Sequence, residues 1–397
     1  MKNIPKSAAI LFMACACLSP VFSAHPQAAA PAGAKDEAAS AGYQWRLPKG
    51  FPRPQVPPDN PMTVEKVRLG RYLFYDQRMS VNATESCATC HEQRLAFTDG
   101  KPQGVGATGE FHPRGAMSLV NIAYSAVLTW ANPNEHSLEN QALTPMFGEH
   151  PVELGLTGKG EAYLRILRAD PLFREMFAAA FPGEPDPFSI SNVTKAIAAF
   201  ERTIISASSP YDRYHYGGDD GAISASAKHG EALFFSEPLS CFRCHGGFNF
   251  SDATISENST GTEVQFHNTG LYNLAGAFSY PEPNRGIYEY TSKPEDVGKF
   301  KAPTLRNIAL TAPYMHDGSA ATLNAVLDHY SAGGRTISGS PHSGEGSRNP
   351  NKDPLIRGFQ LSQQDRADLI NFLQSLTDED VTRDNRFSNP WGGPAGW

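Results

Sequence analysis

The chain has 397 residues, of which 40% are hydrophobic and 19% are charged, and its net charge is −7. This length gives room for two domains, each with its own core. The ordinary balance of apolar and charged residues excludes a disordered chain and a protein with many membrane spans. The acidic charge argues against nucleic acid as a partner.

The N-terminus has the layout of a secretory signal peptide. Lys2 and Lys6 precede an apolar run over residues 8–18, which is too short to cross a bilayer. We therefore predict a signal peptide over residues 1–24, export to the periplasm and no membrane span. The alternative is a lipid anchor at Cys15, which lies in a weak lipobox-like sequence.

One sequence pattern occurs twice and predicts the organisation of the chain. After an Ala/Pro-rich segment over residues 25–60, which predicts an extended surface segment, residues 67–75 recur in altered form as residues 227–235, and a C-x-x-C-H pentad follows each copy. We predict a mainly α-helical protein with two cytochrome c-like domains related by duplication. Their predicted bounds are 61–208 and 209–397.

Apolar stripes predict the helices that close these domains. The first follows Ser191 as a predicted N-cap, and the second follows Ser362, with Asp365 three residues later as in a capping box. Their apolar residues are Val193, Ile197, Phe200 and Ile204 in the first and Leu369, Phe372, Leu373 and Leu376 in the second. The Gly/Ser-rich residues 331–360 predict a long covering loop.

The cysteines that remain after the signal peptide all lie in the two pentads. In c-type attachment the two thiols add across the vinyl groups of a haem, and the adjacent histidine binds the iron. Zinc would need four ligands at one site, and a redox pair needs no histidine. We therefore predict two covalent haem c groups and no disulfide. The attachment residues are Cys87, Cys90 and His91 for the first haem and Cys241, Cys244 and His245 for the second.

A third helical pattern ends at a tyrosine. Over residues 321–330 one face carries Leu323, Val326, Leu327 and Tyr330, so the helix turns Tyr330 inward. Taken alone, this pattern is typical of a core tyrosine with a satisfied hydroxyl.

Together these features resemble the bacterial di-haem cytochrome c peroxidase family, and within it the MauG-like branch. The resemblance runs from about residue 60 to residue 377. Besides the pentads it is carried by Trp130, QALTP at 141–145, PVE at 151–153, FKAPTLRN at 300–307, YMHDG at 314–318 and DPLI at 353–356.

The resemblance implies that Tyr330 binds the iron of the second haem. Family peroxidases have a methionine soon after the His-Asp-Gly segment, whereas MauG-like proteins have a tyrosine followed by a glycine pair, here Gly333 and Gly334. A phenolate oxygen is a hard anionic ligand that favours oxidised iron, whereas a soft thioether favours ferrous iron. The competing candidate, Met315, lies in a family segment that does not bind iron.

The resemblance also implies that the haem on His91 meets peroxide. Family peroxidases block this haem at rest with a loop histidine, and Ala107 stands at that position here. The site is therefore predicted to be open. His112, nearby in sequence, is the alternative blocking residue.

The distal pocket of this haem is predicted from two further motifs. Glu153 matches the family's distal carboxylate, which can take a proton from hydrogen peroxide and return it to the departing oxygen. Gln141 and Pro145 match residues that line the same pocket, although their spacing is slightly longer here. The catalytic residues implied by the resemblance are Glu153, Trp130, Gln141 and Pro145.

Two more positions are implied between the haems. Trp130 matches a tryptophan that can relay an electron hole, although a single tryptophan is most often a core residue. A calcium ion in the family is held by backbone carbonyls that map to Ala302 and Thr304 and by an asparagine that maps to Gly115. Calcium is therefore predicted without its side-chain ligand.

The leading functional hypothesis follows from the MauG-like features. It is an enzyme that reacts with hydrogen peroxide to form a high-valent di-haem state and then oxidises a side chain of a partner protein. Likeness to the methanobactin-associated members of the branch implies a periplasmic copper-binding partner, oxidised at tryptophan. The alternatives are a peroxidase supplied with electrons by a small cytochrome and a non-enzymatic di-haem electron carrier.

Overall fold

The computed structural model describes residues 43–261, 264–276, 279–339 and 341–392. Within these ranges the chain is mainly helical, as predicted. The α-helices are α1 (Val64–Phe74), α2 (Cys87–Cys90), α3 (Leu138–Gln141), α4 (Leu143–Phe147), α5 (Gly160–Ala169), α6 (Pro171–Ala180), α7 (Ile190–Glu201), α8 (Pro210–His215), α9 (Ala225–Phe234), α10 (Tyr288–Thr291), α11 (Leu323–Ser331), α12 (Gln363–Ser375) and α13 (Glu379–Arg383).

Strands are few and short. β1 (Phe266–His267) pairs antiparallel with β2 (Phe300–Lys301), and β3 (Thr336–Ile337) pairs antiparallel with β4 (Gly344–Glu345). No helix in the described ranges has the length and apolar content needed to cross a bilayer. The predicted signal peptide lies outside the described residues.

The repeated sequence forms two helices that pack in the same way. α1 packs against α7, and α9 packs against α12. A Cβ atom at Gly70 of α1 would overlap the carbonyl oxygen of Ala196, and one at Gly230 of α9 would overlap that of Asp368. Each glycine therefore allows the two helix backbones of its pair to approach closely.

The two predicted closing helices exist, but one starts differently. The α7 cap is Ser189, whose hydroxyl accepts a hydrogen bond from the Asn192 N–H at 3.1 Å. The predicted cap, Ser191, is wrong because it lies inside the helix. The α12 cap is as predicted: Ser362 and Asp365 form a capping box, with the Ser362 hydroxyl donating to the carboxylate at 2.7 Å.

Two main hydrophobic cores hold the helices. The first gathers side chains between residues 62 and 204 and also includes Val381 and Phe387 from the end of the chain. The second gathers side chains between residues 211 and 376. The last helix, α13, thus contributes to the core built mostly from the first half of the chain.

The N-terminal segment, where it is described, is extended and partly buried. Residues 43–60 contain no helix or strand. Phe51 is buried and packs edge-on against Tyr124 and Phe248, with ring centroids 6.3 and 5.1 Å away. This packing holds the described part of the segment against the rest of the chain. Residues 25–42 of the predicted segment lie outside the described residues.

Candidate functional site

The two pentads hold their histidines in the same way. His91 Nδ1 lies 2.9 Å from the Phe97 carbonyl oxygen, and His245 Nδ1 lies 3.2 Å from that of Phe250. Both phenylalanines have left-handed backbone conformations, with φ of 61° and 50°, which are rare for a bulky residue. Because a carbonyl only accepts, each Nδ1 carries the proton, and each Nε2 keeps a lone pair for a metal.

Burial tunes the ionisable groups of the pentads. It lowers the pKa of His91 and of His245, so both imidazoles are neutral at pH 7. It raises the pKa of the Cys90 and Cys241 thiols to about 12. Neutral imidazoles are the form that binds iron.

A cavity of about 440 Å³ opens beside the second pentad. The predicted face of α11 lines it, which confirms that these four side chains turn inward together. Its lining includes Cys241, Cys244 and His245 from the pentad and Leu323, Val326, Leu327 and Tyr330 from α11. Met315, the competing axial candidate, also lines it. Burial raises the pKa of the Tyr330 phenol, and the two pentad cysteines raise it further.

The residues of this cavity fit a haem c. Paired thiols, a free imidazole nitrogen and a phenol line one mainly apolar space. His316 also lines it and stacks on Phe300, with ring centroids 3.7 Å apart. Its Nε2 atom is buried without a hydrogen-bond partner within the described chain. Such an atom is costly unless another group pairs with it, and the carboxylates of a haem are suitable acceptors.

Trp130 lines the same cavity, in a fixed orientation. Its indole N–H donates to the Gly115 carbonyl at 2.9 Å, and its own carbonyl accepts from the Lys301 N–H at 2.9 Å. The Lys301 ammonium group is buried and donates to Ser125 Oγ at 3.0 Å and to the Val127 carbonyl at 2.6 Å. Burial lowers the Lys301 pKa to about 7. The sequence analysis missed this lysine although it lies in the quoted FKAPTLRN segment.

The predicted calcium-binding positions come together along the cavity wall. Gly115, Ala302 and Thr304 all line it. The Ala302 carbonyl accepts a hydrogen bond from Ser251 Oγ at 2.7 Å, and the Gly115 N–H donates to the His316 carbonyl at 3.0 Å. Gly115 offers no side-chain ligand, so calcium binding stays a prediction.

Glu153 and Ala107 lie side by side. The Ala107 N–H donates to the Glu153 carbonyl at 2.7 Å, and Asn82 Nδ2 donates to the Ala107 carbonyl at 2.7 Å. Burial raises the Glu153 pKa to about 7. His112 Nε2 lies 4.0 Å from Glu153 Oε1. A carboxyl with this pKa can exchange protons near neutral pH.

The other two distal positions are less closely tied to Glu153. The Pro145 carbonyl accepts a hydrogen bond from the Leu154 N–H at 2.9 Å, which fixes α4 beside the distal segment. Gln141 is the last residue of α3 and is half-buried. The described contacts include no hydrogen bond between its side chain and Glu153.

A second internal repeat, which the sequence analysis missed, joins the two halves. Residues 119–123 read LVNIA and residues 305–309 read LRNIA. Asn121 and Asn307 have φ of 57° and 59° and begin matching 3-10 helices. Asn121 Oδ1 accepts from the Ser206 N–H at 2.8 Å, and Asn307 Nδ2 donates to Ser206 Oγ at 2.8 Å. The signal was visible in the sequence as a repeated L-x-N-I-A.

The helical fold and the paired pentads define the class of protein. The profile of the family described as di-haem cytochrome c peroxidase matches residues 64–220. The chain belongs to the di-haem cytochrome c peroxidase and MauG family. It is therefore a peroxide-dependent oxidoreductase of a family that uses haem c.

Similar proteins cover most of the chain. The methylamine utilization protein MauG of Methylorubrum extorquens is 33% identical over 85% of this chain and 84% of its own length. The cytochrome-c peroxidase IdrP1 of Denitromonas iodatirespirans is 32% identical, over 85% and 89%. A MauG-like protein associated with microbial copper homeostasis, known from a crystal structure, is 46% identical in sequence. The two structures superpose with a TM-score of 0.86 over 88% of this chain and 99% of the other.

Proposed function

We propose that this protein is a MauG-like enzyme that uses hydrogen peroxide to oxidise a tryptophan side chain of a periplasmic copper-binding protein. The observation that carries the proposal is the position of Tyr330, which lines the same cavity as the second pentad. A hard oxygen ligand favours oxidised iron, which suits long-range oxidation better than electron delivery. The 46% identity to a MauG-like protein associated with copper homeostasis supports a copper-binding protein as the partner.

The cofactor contributes the redox chemistry. Bound through the two pentads, with His91, His245 and Tyr330 as iron ligands, two haem c groups would accept the oxidising equivalents of peroxide. The chain contributes the orientation of these ligands: the two Nδ1 hydrogen bonds to backbone carbonyls fix the imidazole rings.

Glu153 acts as the proton acceptor and donor. Its ionised carboxylate takes the first proton of hydrogen peroxide and returns it to the departing oxygen, so that the O–O bond breaks heterolytically. Ala107, whose N–H donates to the Glu153 carbonyl, carries only a methyl group where family peroxidases have a histidine, so in this proposal peroxide has access to the site. Gln141 and Pro145 complete the walls of this pocket.

Trp130 carries electrons between the two sites. An indole is large and oxidisable, and it relays a hole by losing and regaining one electron. Its N–H is bonded to the Gly115 carbonyl, which is not a base, so the proton stays on the indole during this exchange.

The organisation of the chain forms part of the proposal. In this proposal two domains, with a boundary near residue 208, arose by duplication. The matching close helix contacts at Gly70 and Gly230 and the repeated L-x-N-I-A sequence support a duplication. Calcium bound by the Ala302 and Thr304 carbonyls is tested by chelation, which should lower the thermal stability if the ion is present. N-terminal sequencing of the exported protein tests the signal peptide.

The decisive experiment compares two substrates of the purified holoprotein. With peroxide and a periplasmic copper-binding protein from the same organism, mass spectrometry should show oxidation at a partner tryptophan. With peroxide and a reduced small cytochrome, turnover should be slow. Fast cytochrome turnover without partner oxidation would instead make the protein a cytochrome c peroxidase, a function that the 32% identity to IdrP1 favours.

A further inference from the structure

The loop over residues 104–112 is fixed against the segment that carries Glu153. Its two arms pair at Val105 and Phe111, and Glu110 Oε2 accepts a hydrogen bond from the Val152 N–H at 3.1 Å. A Cβ atom at Gly106 would overlap the Val152 carbonyl, so the approach requires glycine. The loop therefore holds its last residue, His112, at a set distance from the distal carboxylate.

The backbone selects the tautomer of His112. The Arg114 N–H points at His112 Nδ1 at 3.1 Å, and the peptide plane fixes the direction of that hydrogen. The Arg114 carbonyl oxygen is also 3.1 Å from Nδ1, but a proton on Nδ1 would meet the Arg114 N–H hydrogen head-on. Nδ1 is therefore the acceptor, and the proton lies on Nε2, which is the atom that faces Glu153 Oε1 at 4.0 Å.

Burial is the main reason that this imidazole is neutral. It lowers the His112 pKa, the hydrogen bond with the Arg114 backbone raises it, and the Arg114 guanidinium lowers it. Arg114 itself is paired with Glu289 at 2.7 Å and donates to Asn284 at 2.9 Å. Glu110, the other charged group of the loop, is engaged by the Val152 N–H. His112 thus presents an N–H donor, rather than a positive charge, to Glu153.

We propose that His112 is a positioning residue that orients the Glu153 carboxylate and stabilises its ionised form through the Nε2–H. The 4.0 Å separation is closed by one bridging water or by a small rotation of the carboxylate. The proposal rests on the proposed function of Glu153 as the proton acceptor for peroxide. It gives His112 a role other than that of an iron ligand.

Two substitutions distinguish the effect of the His112 N–H donor from the effect of its planar ring. His112→Gln keeps an N–H donor, whereas His112→Phe keeps a planar ring without one. Infrared difference titration of the holoprotein, with the Glu153 signal identified by its loss in Glu153→Gln, measures the carboxyl pKa directly. We expect a higher pKa in His112→Phe and a nearly unchanged one in His112→Gln. A rise of one unit would slow the reaction with peroxide about tenfold at pH 6 and leave it unchanged at pH 9.

Phe111→Ser serves as the matched control, because Phe111 is the neighbouring residue in the loop and its side chain is 67% exposed. An unchanged Glu153 pKa in His112→Phe would overturn the proposal, and so would an equal slowing at every pH. A change from a six-coordinate to a five-coordinate spectrum at the first haem would overturn it too, since His112 would then be an iron ligand. If Glu153→Gln leaves the peroxide rate unchanged, the proposed function of Glu153 fails independently.

Discussion

The two pentad regions hold their histidines in the same way and differ in the side chains that lie near them. In both, a histidine Nδ1 bonds to the carbonyl of a left-handed phenylalanine, and a glycine allows two helices to cross closely. The first region is accompanied by Glu153, the proposed proton acceptor for peroxide, whose carbonyl accepts a hydrogen bond from the Ala107 N–H. The second is accompanied by Tyr330 in a cavity. The pentad and its near neighbours thus orient each histidine, whereas segments distant in the chain supply the other side chains of each site.

The largest expected effect comes from making the second site resemble that of a peroxidase. If Tyr330 binds the iron as proposed, Tyr330→Met replaces a hard oxygen ligand with a soft neutral one, so the reduction potential of the His245 haem should rise and partner oxidation should be lost. Simple peroxide reduction should persist. Spectroelectrochemical titration and mass spectrometry of the partner measure both effects. Tyr290→Met, at a half-exposed tyrosine, is the control. An unchanged spectrum and potential would make Tyr330 a core residue only.

At the first site, Glu153→Gln should slow the reaction with peroxide by about 10² or more while both haems stay bound, because the proton acceptor is lost but the volume is kept. In the wild type, the rate should rise about tenfold per pH unit below about 7 and level off above it, since only the ionised carboxylate accepts a proton. Stopped-flow mixing across pH tests this. The exposed Glu175→Gln is the control, and a wild-type rate in Glu153→Gln would reject the assignment.

Blocking electron transfer between the two sites should have an intermediate effect. Trp130→Phe fills much of the same space but is far harder to oxidise, so peroxide should oxidise only the first haem. Mössbauer spectroscopy after rapid freezing distinguishes one oxidised iron from two. Trp45→Phe, in the N-terminal segment, is the control. Equal oxidation of both irons would show that the hole takes another route.

The smallest expected effect comes from the close helix contacts that the two regions share. Gly70→Ala and Gly230→Ala should each destabilise the fold by about 1–3 kcal/mol, because the added methyl overlaps a carbonyl of the facing helix. Calorimetry should show a melting temperature lower by a few degrees. Gly221→Ala, where the nearest atom is a side-chain oxygen 3.5 Å away, should change little. An unchanged melting temperature in both variants would mean that the paired helices can move apart without loss of stability.

Features that depend on short spacing can be predicted from the residues alone. The two pentads, the inward face of α11 and the capping box of α12 follow from helical periodicity and from hydrogen bonds a few residues apart. Spacing alone does not distinguish Ser189 from Ser191 as the α7 cap, because both serines precede the same apolar stripe. The backbone shows that Ser189 accepts the N–H bond.

Contacts between distant segments are visible only in the folded chain. No pattern in the sequence indicates that Val381 and Phe387 return to the first core, that Lys301 is buried beside Trp130, or that His112 turns Nε2 toward Glu153. These contacts join segments far apart in the chain or depend on the direction of a single peptide N–H. They are set by how the helices pack and by where each buried polar group finds a partner, which periodicity and local spacing do not record.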